Sequence, residues 1–140
     1  MNSNETKILI GGQKLRTLGS DRYTDDTDYL VFRADDALFI HEAGCDFVNA
    51  AANGLLRDVW ETEINDDKIS LSGLAVLCGW AMVNHCQNFN FRKADAKEYD
   101  LKFLTRISGG KLDLSILRKH LASGEMAEIE KVISEVRIEK

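Results

Sequence analysis

The chain has 140 residues, 44% of them hydrophobic, with a net charge of −5 and a calculated isoelectric point near 5.2. That length buries one compact core and little more. The acidic balance excludes the broad basic surface that tracks a polynucleotide, so no extended DNA binding is expected.

The first apolar run, Ile8-Leu9-Ile10, reads as a short buried strand. Gly11-Gly12 follows as a sharp turn whose backbone N–H groups can approach an anion. Residues 13–18 suit a short helix, and Asp28 to Phe32, rich in aromatic and β-branched residues, suits a second strand. If Asp26 already lies on that strand, its two-residue spacing from Asp28 puts both carboxylates on one face. Asp35-Asp36 signals a turn, and residues 37–42 read as a hairpin partner for the strand before them. Ala43-Gly44 breaks that run, and residues 45–48 form a further short extended segment.

The rest is helical. Residues 49–61 form a helix burying Leu55, Leu56, Val59 and Trp60. Residues 71–87 form an almost wholly apolar one around Leu74, Leu77, Cys78, Ala81 and Met82. Residues 91–104 make a third helix, with Lys93, Lys97 and Asp100 on one face and Leu101 and Leu104 packing inward beside it. Ser108-Gly109-Gly110 stops it, and a final pair spans residues 113–121 and 125–136, separated by Ser123-Gly124. The expected architecture is α+β, a small mixed sheet followed by a C-terminal helical bundle. It is read as one domain over 1–140, sheet-rich in 1–64 and helical in 65–140.

Asp26 and Asp28 give this pattern its chemistry. Two neighbouring carboxylates repel unless a cation sits between them, and oxygen ligands of this kind suit Mg²⁺, which also takes substrate phosphates. With Mg²⁺ on the phosphates of an NTP, a hydroxyl can attack the α-phosphorus in line while pyrophosphate leaves. Without the surrounding pattern, the same residues read more simply as a solvated acidic turn.

The order of residues resembles the nucleotidyltransferase superfamily, with its polymerase-β-like fold, and within it the AbiEii-type toxins and related minimal nucleotidyltransferases. Their pattern runs Gly-Gly, a helix, Gly, then Arg-x-Thr/Ser-x-Asp-x-Asp. Gly11, Gly12, Gly19, Arg22, Thr24, Asp26 and Asp28 stand at those places. The resemblance implies a third carboxylate from a neighbouring strand. Asp46, inside a short apolar run, is the choice and Glu42 the second. Asp46 also reads as the cap of the helix starting near Asn49.

The resemblance further implies a lysine directed at the triphosphate from the helix after the long apolar one. The spacing is offset here by Ala94, so Lys93 and Lys97 compete for that role, against a plainer reading of that helix as a solvated face. The implied function is Mg²⁺-dependent transfer of NMP from an NTP to a hydroxyl of protein, RNA or a small molecule, with two ions. Asp26, Asp28 and Asp46 would carry metal and catalysis, and Gly11, Gly12, Arg22 and Lys93 or Lys97 the nucleotide. A non-catalytic nucleotide- or partner-binding member of the fold, such as an antitoxin, inhibitor or phage-host regulator, is the alternative.

Cys45, Cys78 and Cys86 are expected as reduced core thiols. Cys78 with His85-Cys86 lacks the paired doublets of structural zinc. His41 and His120 stand alone in sequence and read as structural. No apolar run reaches the length of a membrane span, and residues 1–5 lack the features of a signal peptide, so a cytoplasmic location without a membrane partner is expected.

Overall fold

The computed structural model describes residues 5–136, and the chain divides into two compact units, Met1–Ser70 and Leu71–Lys140. Of the stretch read as lacking a signal peptide, residues 1–4 lie outside the described residues. The architecture is α+β, a four-stranded mixed sheet followed by C-terminal helices. Among the described residues no helix is long and apolar enough to cross a membrane.

In the first unit β1 (Ile8–Ile10) runs straight into α1 (Gly11–Thr17). Gly11 and Gly12 are therefore the first residues of the helix and do not form a loop ahead of it. After a loop come β2 (Asp28–Val31), β3 (Phe39–Glu42) and β4 (Cys45–Asn49). The sheet order is β1-β2-β4-β3. β1 pairs antiparallel with β2, β2 parallel with β4, and β4 antiparallel with β3.

This pairing corrects the expected partnership of β3 with the strand before it. The tight turn follows β3, at Ala43-Gly44, where both residues have positive φ, 52° and 76°. Two such residues suit the two-residue turn that matches strand twist, so β3 folds onto β4. The longer connection from β2 to β3 leaves β2 to take β4 as its parallel neighbour.

A 3₁₀ turn at Ala50–Ala52 and α2 (Gly54–Thr62) complete the main body of this unit, with Leu55, Leu56 and Val59 buried and Trp60 half-buried against Phe32. The helix starts later than expected because Asn53 caps it, accepting from the Leu56 N–H at 3.1 Å. Asp46 lies within β4 and caps no helix. A two-stranded hairpin, β5 (Ile64–Asn65) and β6 (Lys68–Ile69), ends the unit.

The second unit is built on α3 (Leu71–Gln87), nearly every residue of whose first half is buried. α4 (Phe91–Ile107) packs along it, burying Leu101 and Leu104. Full burial of a leucine contributes about 2 kcal/mol, so Leu101 and Leu104 account for much of the hold of α4 on its neighbours. Asp100 is buried as well. Lys93 is exposed and Lys97 half-buried, so the expected single face of Lys93, Lys97 and Asp100 turns inward along the helix.

α5 (Ser115–His120) and α6 (Ser123–Ser134) follow. A Cβ on Gly79 would lie 2.9 Å from Leu117 and 3.1 Å from Ile129, which measures how closely α5 and α6 approach α3. Ser123 and Gly124 open α6. The break between the last two helices falls at Leu121-Ala122, where Glu125 reaches back to the Ala122 N–H at 2.8 Å. Of the thiols expected in the core, only Cys78 is buried; Cys45 is half-buried and Cys86 exposed on the last turn of α3.

Candidate functional site

Strand register brings the acidic residues together. Asp28 opens β2 and pairs with Asp46 of β4. Asp46 in turn pairs with His41 of β3. Residues opposite one another on neighbouring strands project from the same face, so Asp28, Asp46 and His41 form a row across three strands. The two carboxylates are half-buried and the imidazole is exposed. His41 Nδ1 lies 2.7 Å from Asp46 Oδ1.

Asp26 falls outside this row. The strand begins at Asp28, and Asp26 is exposed on the preceding loop, its N–H donating to Thr24 Oγ1 at 3.3 Å. The alternation expected to align Asp26 with Asp28 does not operate there. Among the described residues no group of three or more His, Cys, Asp or Glu side chains is placed to hold a metal ion. Glu42, the second choice for the third acid, pairs in register with Cys45 and reaches Arg33 at 3.1 Å.

The glycine pair touches the same ground from β1. Ile10 is the register partner of Asp28, and Gly11, next along, has φ +70°. A Cβ on Gly11 would stand 2.5 Å from Asp28 Oδ2. Gly12 is buried, and a Cβ there would meet Thr24 Cγ2 at 2.5 Å and Arg22 Nη2 at 2.8 Å. The room that each glycine leaves is thus filled by side chains of the same motif. Gln13 ties the loop down further, its Nε2 donating to the Thr24 carbonyl at 2.9 Å.

Gly11, Gly12, Arg22, Thr24, Asp28 and Asp46 therefore converge in the first unit. Lys93 and Lys97 belong to the second, where burial and, after it, the charges of these two lysines hold the His85 imidazole below its ordinary pKa. Burial is the largest of these influences, followed by Lys97 and then Lys93.

Two residues of this region carry no sequence motif. His41 stands alone in the chain, yet counting outward from the Ala43-Gly44 turn pairs Glu42 with Cys45 and His41 with Asp46, so hairpin register was the signal that finds it. Asn49 is fully buried at the end of β4. Its side-chain oxygen accepts from Arg33 N at 2.8 Å and Ala51 N at 3.2 Å, while its amide donates to the carbonyls of Arg33 and Ala37, each at 3.0 Å. One side chain thus holds the connection that carries β2 toward β3.

Compared with known families, curated proteins and solved structures, the chain matches no family model, no curated protein and no solved structure.

Proposed function

We propose that the first unit is a Mg²⁺-dependent nucleotidyltransferase site, moving NMP from an NTP to a hydroxyl of a protein, an RNA or a small molecule. The observation that carries this reading is the pairing of Asp28 with Asp46 on parallel strands, at the point where Gly11 closes on the Asp28 carboxylate. Two half-buried carboxylates on adjacent strands form an oxygen donor set that fits a small hard cation. Asp28 and Asp46 would hold it, with Asp26 approaching from the loop.

Bound there, Mg²⁺ would offset phosphate charge and polarise the reacting phosphorus–oxygen bonds. Arg22, lying against Gly12, supplies a guanidinium fork suited to phosphate oxygens. The room at Gly11 and Gly12 is taken by Asp28, Thr24 and Arg22, so a triphosphate would meet these side chains at the start of α1. Lys93 and Lys97 enter the reading through the family resemblance alone. The resemblance also implies a pair of ions, and the sequence pattern, not the resemblance, is the ground for a cytoplasmic setting.

Incubating the full chain with each α-labelled NTP, Mg²⁺ and a cell extract tests this directly. Label should pass to a macromolecule, pyrophosphate should appear, and both should vanish in Asp28→Asn and Asp46→Asn. Labelling that survives both substitutions overturns the assignment.

A second reading is favoured by the hold of His41 on Asp46 and by the place of Asp26 outside β2. The first occupies one carboxylate oxygen of Asp46 and the second leaves Asp26 out of the row, as suits a member of the fold that binds a nucleotide or a partner without turnover. That reading expects heat of NTP binding in calorimetry and no pyrophosphate.

A further inference from the structure

The turn between α3 and α4 presents two aromatic rings to solvent at a backbone cost. α3 ends in a reverse turn in which the Phe89 N–H donates to the Cys86 carbonyl at 3.1 Å and the Asn90 N–H to the His85 carbonyl at 2.8 Å. In that arrangement the residue at the Phe89 position adopts a left-handed conformation and is usually glycine. Phe89 takes it with φ 57°. Steric strain at a bulky residue is ordinarily offset by burial of its ring, but Phe89 is 81% exposed and Phe91 58%. The two rings stand edge to face, with centroids 6.3 Å apart.

Charge around the pair reverses the balance of the chain. Residues 84–94 contain no acid, and Arg92 and Lys93 are exposed directly after Phe91. Among the described residues neither cation is held in a salt bridge. Lys97 follows on the next turn and acts on the same imidazole, His85, as Lys93 does. The acids that follow on α4 are Asp95, one turn along, and Glu98, which pairs with Lys102, while Glu125 of α6 accepts from Gln87 at the end of α3. A chain of net charge −5 thus carries a local excess of cations where its most exposed aromatic side chain projects.

The geometry points to a binding site for a short unpaired nucleic-acid segment at the α3–α4 turn, with bases stacking on Phe89 and Phe91 and phosphates meeting Arg92 and Lys93. Exposed aromatic faces take any base, and cations beside them take the backbone that joins those bases. Another protein's apolar surface would fit the rings but would leave the unpaired cations without partners. A duplex hides its bases and fits only the cations. The small extent of the patch matches a strand end or loop of a few nucleotides. The inference goes beyond the reading of the aspartate pair and does not depend on it.

Fluorescence anisotropy of the full chain with labelled octauridylate, labelled octathymidylate and a blunt duplex of equal length tests the site. Both single strands should bind more tightly than the duplex, and a preference between them tells whether RNA or DNA is the source. Phe89→Gly suits the backbone and should raise the melting temperature while weakening single-strand binding about fivefold or more. Arg92→Ala with Lys93→Ala should lower the slope of log affinity against log salt by about 1.4. Asp28→Asn should bind as the unaltered chain does, which separates this site from the proposed metal site.

Absence of single-strand binding overturns the inference, as does equal binding of the duplex or an affinity unchanged in Phe89→Gly. Self-association that Phe89→Gly abolishes, without oligonucleotide binding, overturns it in favour of a second copy as the occupant.

Discussion

Gly11 and Asp28 stand so close that a single added carbon brings them into collision: a Cβ on Gly11 would lie 2.5 Å from Asp28 Oδ2. The contact joins the first residue of α1 to the first residue of β2 and explains why a glycine and an aspartate far apart in sequence belong to one local structure. Gly11 also has φ +70°, which L residues with side chains rarely adopt.

Gly11→Ala should therefore cost about 2 kcal/mol or more, combining backbone strain with displacement of the carboxylate. Gly109 isolates the first contribution, since its φ is +66° and a Cβ there meets nothing within 4 Å. Gly109→Ala should cost about 1 kcal/mol by denaturant melts. In an Asp28→Ala background the cost of Gly11→Ala should fall to that same level. Equal costs in both backgrounds would show that the two residues do not touch.

His41 and Asp46 are the counterpart of this contact at the far side of the row. The pair is 2.7 Å apart but well exposed, 71% and 49% by side chain, so solvent screens it and His41→Ala should change stability by less than about 0.5 kcal/mol. Its effect on the proposed metal should be larger in proportion. Removing the imidazole releases an Asp46 oxygen, and Mg²⁺-dependent NTP binding measured by calorimetry should tighten. Under the non-catalytic reading, in which Asp46 holds no ion, the binding isotherm should not move.

Asn49 offers the reverse case, a polar residue whose worth is structural. Four backbone groups lie within 3.2 Å of its fully buried amide as hydrogen-bond partners. Asn49→Ala leaves those groups without their partner; at about 1 kcal/mol for each of the four, less what water restores at the exposed Ala37, a loss of about 3 kcal/mol is expected. Asn49→Asp keeps the acceptor but sets a carboxylate oxygen against the carbonyls of Arg33 and Ala37, and should rescue little. A substitution that left the melting temperature unchanged would show that water replaces the side chain readily.

The parts of this fold legible in the sequence were those set by local pattern. The apolar run from Leu71 to Gln87 is long enough to state its helix and both its ends, and Ile8 to Ile10 states a buried strand. Sheet order was not legible, because the parallel pairing of β2 with β4 joins residues with no shared periodicity and depends on which turn closes first. Asp46 stood out as an acid inside an apolar strand. His41 did not, since its partner is identified only once the Ala43-Gly44 turn fixes the hairpin register. Asp26 misled because alternation holds only within a strand, and β2 starts two residues later. Leu101 and Leu104 are buried as their spacing predicts, but Asp100, placed by the same spacing on a face with Lys93 and Lys97, is buried with them, so the inward stripe of α4 is wider than its apolar residues mark.

The second unit gives a test in which pH alone is varied. His85 is half-buried on α3, and burial first, then Lys97 and Lys93, hold its pKa below the ordinary 6.5. The folded chain then binds fewer protons than the unfolded chain over the interval between the two values. Stability should rise with pH through that interval: the full value is present above about 6.5, and part of it is lost as pH falls below, until the folded-state value is passed. His85→Gln keeps a polar side chain without a titrating ring, so its denaturation midpoint should lose less than that of the unaltered chain between about pH 7.5 and 5.5. Lys97→Gln should shrink the difference part of the way, because burial remains. A His85 titration by NMR centred at or above 6.5 would contradict the sign of the effect, and identical pH dependence in His85→Gln would show that the acid limb does not come from this imidazole.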